Sequence, residues 1–212
     1  MDKKVIIFDM DGVLFDSIGV AREFFMSNHP GVTHEMYDEI HTGNFHVEAQ
    51  KYSHLKIKET ERKEGESFAG YSERKSRTPL FAGIKNLLKD LHKSNYILAM
   101  NTNAYAKNCL PMLERAGILS LFNFIPTAEI SKDKVEKFKL IEEKYKVSNK
   151  DLLFITDALG DIRDADIAGV PTIAVTWGVH NKSFFEREKH HNLVAIIDTV
   201  EELRAFITKF HS

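Results

Sequence analysis

Val5-Ile6-Ile7-Phe8-Asp9-Met10-Asp11-Gly12-Val13-Leu14-Phe15-Asp16-Ser17 decides how this chain is read. Its first four residues form an unbroken apolar run, the pattern of a strand buried on both faces of a parallel sheet. Two carboxylates, Asp9 and Asp11, follow at the carboxyl end of that run. They repel one another, and neither is cheaply buried without a cation or hydrogen-bond donors. A site that needs a divalent metal and an anionic nucleophile wants that arrangement. Gly12 then lets the chain leave the strand through backbone conformations closed to other residues. Ligands of open α/β sheets bind at this end of the strands. The plain alternatives are a solvated acidic turn and a calcium loop. An EF-hand loop, however, wants its Gly two positions later and a closing Glu.

With 212 residues the chain can hold one sizeable core and a smaller lobe. No apolar run approaches the length that spans a bilayer. Met1-Asp2-Lys3-Lys4 leads straight into the first strand, without the apolar segment and small-residue cleavage site of a signal peptide. A single cysteine, Cys109, rules out an internal disulfide framework and reads as a small core residue. The net charge is −2 with both signs interleaved, unlike the basic face of a nucleic-acid binder. The expectation is a cytoplasmic protein with no nucleic-acid or membrane partner; oligomeric state is not legible.

Strand-like runs recur at Tyr96–Met100, Phe124–Ile125, Leu152–Thr156, Thr172–Val175 and Val194–Ile197, with amphipathic helical stretches between them. The helices are expected at Gly83–Lys93, Tyr105–Ala116, Val135–Tyr145, Ile162–Ala168 and Glu201–Phe210. This alternation predicts an α/β fold, a Rossmann-like parallel sheet with helices on both faces. Residues 17–78 break the rhythm. They hold no convincing strand, and Asp16 or Ser17 can cap a helix carrying Ile18, Ala21, Phe24 and Phe25 on one face. Thr78-Pro79-Leu80 marks re-entry, since the residue before a proline favours extended backbone. The expected division is a core of residues 1–16 and 79–212 with a small all-helical cap, 17–78, inserted.

Three further clusters follow in order. Asn101-Thr102-Asn103 ends one apolar run; alone, such residues are ordinary in turns and helix caps. Ser131-Lys132-Asp133-Lys134 opens a helix. Asp157-Ala158-Leu159-Gly160-Asp161 ends the run Leu152–Thr156 with two carboxylates four residues apart. Taken together, Asp9-Met10-Asp11-Gly12-Val13 and these clusters resemble the motifs of the haloacid dehalogenase superfamily, and in particular its phosphoglycolate phosphatase branch. The resemblance covers essentially everything outside the inserted lobe. It implies Asp9 as nucleophile, Asp11 as general acid and base, Thr102 as the hydroxyl on a phosphoryl oxygen, and Asn103 beside it. Lys132 falls at the family's lysine position, with Lys134 as the alternative; the proline that often follows this lysine is absent. Asp157, with Thr156 where many relatives carry Gly, and Asp161 fall at the acidic metal motif. Asp9, Asp11, Asp157 and Asp161 would thus hold Mg²⁺, whose preference is oxygen ligation with retained water. Asp164 and Asp166 read as surface residues.

The activity implied is hydrolysis of a small phosphorylated metabolite, a phosphomonoester, through an aspartyl phosphate on Asp9. A β-phosphoglucomutase-like sugar phosphomutase would share the same core residues. A non-catalytic binding or regulatory protein on this fold is the reading from another class. Within the lobe, His41-Thr42-Gly43-Asn44-Phe45-His46 is the candidate recognition loop, with Gly43 and Asn44 as substrate-binding residues. His180 follows Trp177-Gly178 near a strand end, open to a place at the rim, and is not counted among the site residues.

Overall fold

A computed structural model describes residues 4–58 and 67–210. Residues 59–66 of the expected cap and Met1–Lys3 lie outside the described residues. Strands β1 (Val5–Phe8), β2 (Ile97–Met100), β3 (Leu152–Thr156), β4 (Thr172–Val175) and β5 (Leu193–Ile197) form one parallel sheet in the order β2-β1-β3-β4-β5. The chain passes from β1 to β2 on one side and then returns to β3 on the other. That reversal opens a crevice beyond the carboxyl ends of β1 and β3. Register sharpens it: Phe8 pairs with both Met100 and Ile155, so Asp9, Asn101 and Thr156 stand in one row at the carboxyl ends of the strands.

Side chains alternate across the sheet as the pleat requires. Ile6 and Phe8 pack towards α5 (Ile84–Lys93), α6 (Ala106–Ala116) and the last helix, Val200–Phe210. Val5 and Ile7 pack towards α7 (Lys134–Tyr145) and α8 (Leu159–Ala168). Phe124–Ile125 is not a strand. It makes one isolated parallel bridge, Ala99 with Phe124, because the Asn123 side chain takes the Leu98 N–H that a ladder would use. Helix α8 begins three residues earlier than its apolar pattern suggests, capped at Ala158 with no side-chain hydrogen bond.

Between β1 and α5 the described residues are helical or irregular: α1 (Ile18–Asn28), α2 (His34–Ile40), α3 (Phe45–Glu48), a 3₁₀ segment Ala49–Leu55, and α4 (Phe68–Ser76). Phe25, Val32, Tyr37 and Ile40 form a small core there, which also packs on Ala158 and Val179 of the sheet domain. The two chain crossings run side by side: Asp16 N–H donates to Pro79 C=O (3.0 Å) and Phe81 N–H to Leu14 C=O (3.0 Å). Among the described residues, no helix is long and apolar enough to cross a membrane.

Candidate active site

The carboxyl ends of β1, β2 and β3 open into a cavity of about 340 Å³ that contains Asp9, Asp11, Thr102, Lys134, Asp157 and Asp161. Asp9 follows β1 directly, and its N–H donates to Ile155 C=O at 2.9 Å, which fixes it at the strand end. Burial raises its pKa to about 6, with Lys134 pulling the other way and Asp161 and Asp11 adding to the rise.

The cation on Asp9 is Lys134. Its Nζ lies 3.0 Å from Asp9 Oδ1 and 2.6 Å from Asp161 Oδ2, and the residue is 3% exposed. Lys132 is exposed, its Nζ 5.9 Å from the centre of the Tyr105 ring. Asp133 accounts for the difference. Its carboxylate accepts from Val135 N–H (2.8 Å) and Glu136 N–H (3.4 Å), so it is the N-cap. Lys134 becomes the first helical residue and turns inward, while Lys132 stays outside the helix. The Asn101 amide donates to the Lys134 carbonyl at 3.0 Å and ties that turn to the end of β2.

Asp11 is held by two residues of the helical segment between β1 and α5. Its Oδ1 accepts from the Ser17 hydroxyl at 2.6 Å and its Oδ2 from Lys75 Nζ of α4 at 2.6 Å. Ser17 stands at the N-cap position of α1 but makes no capping bond; its hydroxyl serves Asp11 instead. Burial acts to raise the Asp11 pKa, yet Lys75, Ser17 and Lys134 together bring it below the ordinary value. Lys75 itself carries no sequence signal, being one cation on an amphipathic helix.

Asp157 is 1% exposed and clamped between two glycines. A Cβ on Gly12 (φ +74°) would stand 1.9 Å from its Oδ2, and one on Gly178 2.1 Å from the same atom. That Oδ2 accepts from Val179 N–H at 2.7 Å. Burial first, then Asp9, push its pKa well above the usual carboxylate range. Asp9 and Asp157 are therefore short of positive charge, and a hard divalent cation fits that donor set. Among the described residues no three His, Cys, Asp or Glu side chains form a cage. Mg²⁺ suits such a site, since it takes one or two carboxylates plus substrate oxygens and water. Asp161 is otherwise engaged: its Oδ2 accepts from Lys134 and, at 2.6 Å, from the Thr156 hydroxyl.

Thr102 is 2% exposed and lines the cavity. Its Oγ accepts from Ala104 N–H at 3.1 Å, which leaves the hydroxyl proton to donate. Behind it, the fully buried Lys137 donates to Thr102 C=O (2.6 Å) and to Asn103 Oδ1 (2.8 Å). Burial, with Lys134 nearby, lowers the Lys137 pKa to about 7. Asp164, one turn beyond Asp161, faces the cavity rather than the surface, and burial raises its pKa to about 6. Asp166 accepts from Asn192 N–H at 2.7 Å and holds that loop.

Gly43 and Asn44 line the cavity wall at a joint between the lobe and the core. Gly160 N–H donates to His41 C=O at 2.9 Å, and a Cβ on Gly160 would meet Gly43 O at 2.4 Å. Asn44 Nδ2 donates to Lys132 C=O at 3.1 Å. Arg163 reaches Thr42 C=O (2.5 Å) and Arg187 reaches Glu39 (2.5 Å). His180 is fully buried in the same joint. Its Nδ1 accepts from Leu159 N–H at 2.9 Å, so Nε2 carries the proton and donates to Asp38 C=O at 2.9 Å. Burial lowers its pKa to about 4, which keeps the ring neutral. Its sequence position at a strand end hinted at the rim, not at this bridge.

A family profile described as haloacid dehalogenase-like hydrolase matches residues 6–175. Phosphoglycolate phosphatase from Mesorhizobium japonicum is 27% identical over 207 residues, covering 89% of each chain. That of Vibrio parahaemolyticus is 24% identical, covering 85% of this chain and 86% of the relative. Among solved structures, a predicted phosphoglycolate phosphatase from Haemophilus somnus superposes with a TM-score of 0.75 at 25% identity, over 100% of this chain and 99% of its own. A haloacid dehalogenase-like hydrolase from Streptococcus pneumoniae shares the fold, with a TM-score of 0.74 at 18% identity, over 97% and 98%.

Proposed function

This chain belongs to the haloacid dehalogenase-like hydrolase family, and from that premise we propose that it is a Mg²⁺-dependent phosphatase that cleaves a small phosphomonoester through an aspartyl phosphate. The observation that carries this reading is Asp9 braced by Lys134 beside Asp11 and Asp157, at the switch point of the sheet. Similarity to phosphoglycolate phosphatases supports a phosphoric monoester as the substrate class.

Asp9 attacks phosphorus, and the bond to the leaving oxygen breaks as the acyl phosphate forms. A carboxylate nucleophile splits one hard displacement into two easier ones. Asp11, ionised in the free protein, takes up the proton of a monoanionic ester as it binds, gives it to the departing alkoxide, and then removes one from the water that attacks phosphorus, releasing phosphate and restoring Asp9. Such acid–base assistance contributes typically ~10²–10⁴-fold. Lys134 and the Thr102 hydroxyl face the phosphoryl oxygens, where transition-state charge is spread. Mg²⁺, held by Asp9, Asp157 and the Asp11 carbonyl, would offset the charge between the anionic nucleophile and the anionic phosphate. Residues 17–78 act as a cap that excludes bulk water, supplies Lys75 to Asp11, and brings Gly43 and Asn44 to the leaving-group side. The setting we assign is cytoplasmic.

Phosphate release from a panel of monoesters, with Mg²⁺ or with EDTA, tests this. Release that needs the metal and vanishes in Asp9→Asn is expected. Release that persists in Asp9→Asn would overturn the nucleophile, and none from any ester would overturn the phosphatase.

A further inference from the structure

The cavity runs outward from the phosphoryl end along a wall of aromatic rings. Phe24 of α1 and Phe68 and Tyr71 of α4 line it from the cap, and Tyr105, just beyond Thr102-Asn103, lines it from the core. These rings are not the cap's packed interior, which is built from Phe25, Tyr37 and Ile40. Phe68 is 47% exposed and Tyr105 37% exposed. Phe24 and Tyr71 lie nearly parallel, with centroids 4.3 Å apart and planes 15° apart, and Phe68 stands 5.8 Å from Tyr71. An apolar surface of this kind left open to solvent marks a contact to be made.

A two-carbon acid such as glycolate would leave most of that wall uncovered. Its carboxylate would also compete for Lys75, which Asp11 already holds. A flat ring matches better, because offset and edge contacts between aromatic rings add to simple burial. One polar group points to a ring with hydrogen-bonding edges: His46 lines the cavity, and its Nε2 is buried with no partner. Burial, with Lys132 and Lys137 nearby, lowers its pKa against the opposing pull of the Asn103 backbone, so the imidazole stays neutral. The cavity volume, about 340 Å³, lies in the range that encloses drug-sized ligands rather than two-carbon ones.

We propose that the leaving alcohol of the natural substrate carries a flat heteroaromatic ring, which docks on Phe24, Phe68, Tyr71 and Tyr105 with an edge towards His46. The proposal rests on the phosphatase reading for its reaction but not for its binding. Paired measurements of kcat/KM with Mg²⁺ test it: uridine 5′-monophosphate and pyridoxine 5′-phosphate against 2-phosphoglycolate and glycerol 3-phosphate. At least one ring-bearing ester is expected to exceed both small esters by about tenfold or more, the scale of one base–aromatic stack. Phe68→Ala and Tyr105→Ala, both at exposed positions, are expected to shrink that ratio severalfold. Calorimetric binding of the same four esters to Asp9→Asn separates the two readings. No turnover, but Phe68-dependent binding of a ring-bearing ester, would overturn the phosphatase and leave the ring site standing. Turnover with small esters equal or preferred, or variants that weaken both ester classes alike, would overturn the ring site and leave the phosphatase.

Discussion

Lys75 Nζ of α4 stands 2.6 Å from Asp11 Oδ2 beyond the end of β1, across 64 residues of chain. The pair joins the two parts of the molecule at the group proposed to move the proton. It also keeps Asp11 ionised in the free protein, because its pKa lies below the ordinary value despite burial.

Lys75→Met, which keeps the aliphatic stem, leaves Asp11 with burial as the dominant influence, and its pKa rises. In the parent protein a depressed Asp11 stabilises the fold above the unfolded-state pKa, and this is lost as pH falls through the folded value. In the variant the folded state is instead penalised as pH rises through the new, higher value. Urea unfolding in EDTA should show a deficit of ~1–3 kcal/mol at neutral pH. That deficit should narrow as the pH approaches 4; a constant deficit would refute the pairing.

Lys134 and Lys132 differ in burial and partners, and so should their substitutions. Lys134→Met should lower kcat/KM by ~10²–10³, the scale of removing one preorganised donor from a transition state. Lys132→Met should change it by no more than about twofold, as for an exposed side chain without a buried partner. Equal losses in steady-state kinetics would reverse the assignment.

Gly160→Ala tests the docking joint. Alanine favours the α8 helix by ~1 kcal/mol over glycine, so the core should not be destabilised by propensity. Its methyl, however, would meet the Gly43 carbonyl 2.4 Å away. The cap should be displaced, with faster limited proteolysis within it and a loss of about 10²-fold in kcat/KM, the effect of misplacement by about 1 Å. Unchanged proteolysis with unchanged turnover would show that the joint tolerates the methyl group.

Lys137 titrates near 7 where it lies and near 10.5 by its ordinary value. The unfolded chain therefore binds more protons between those values, and stability should rise with pH across that window from this group. Lys137→Met should flatten the rise, as read from denaturant midpoints at a series of pH values. It should also cost activity by loosening Thr102 and Asn103; a variant with the parent's slope would remove Lys137 as its source.

Where the signal was contiguous, it could be read in advance. Apolar runs such as Val5–Phe8 and Leu152–Thr156 form strands, and the carboxylates that follow them meet because parallel register aligns strand ends. Phe124–Ile125 carried the same local pattern but lies at the sheet edge, where a single Asn123 side chain breaks the ladder. Asp164 looked like a solvent-facing helix residue because the groups that surround it, Lys134 and Lys137 of α7 among them, belong to another helix.

Sequence by itself determined the α/β sheet, the strand-end carboxylates and the family, since each depends on a pattern a few residues long and on a register that hydrogen bonding enforces. Only the tertiary structure decided which lysine meets Asp9, that Lys75 holds Asp11, that His180 and Gly160 bond to the helical segment between β1 and α5, and that aromatic rings line the cavity. Those depend on how a helix is capped and rotated and on contacts between residues dozens of positions apart. Burial and charge pairing select such contacts only once the chain has packed.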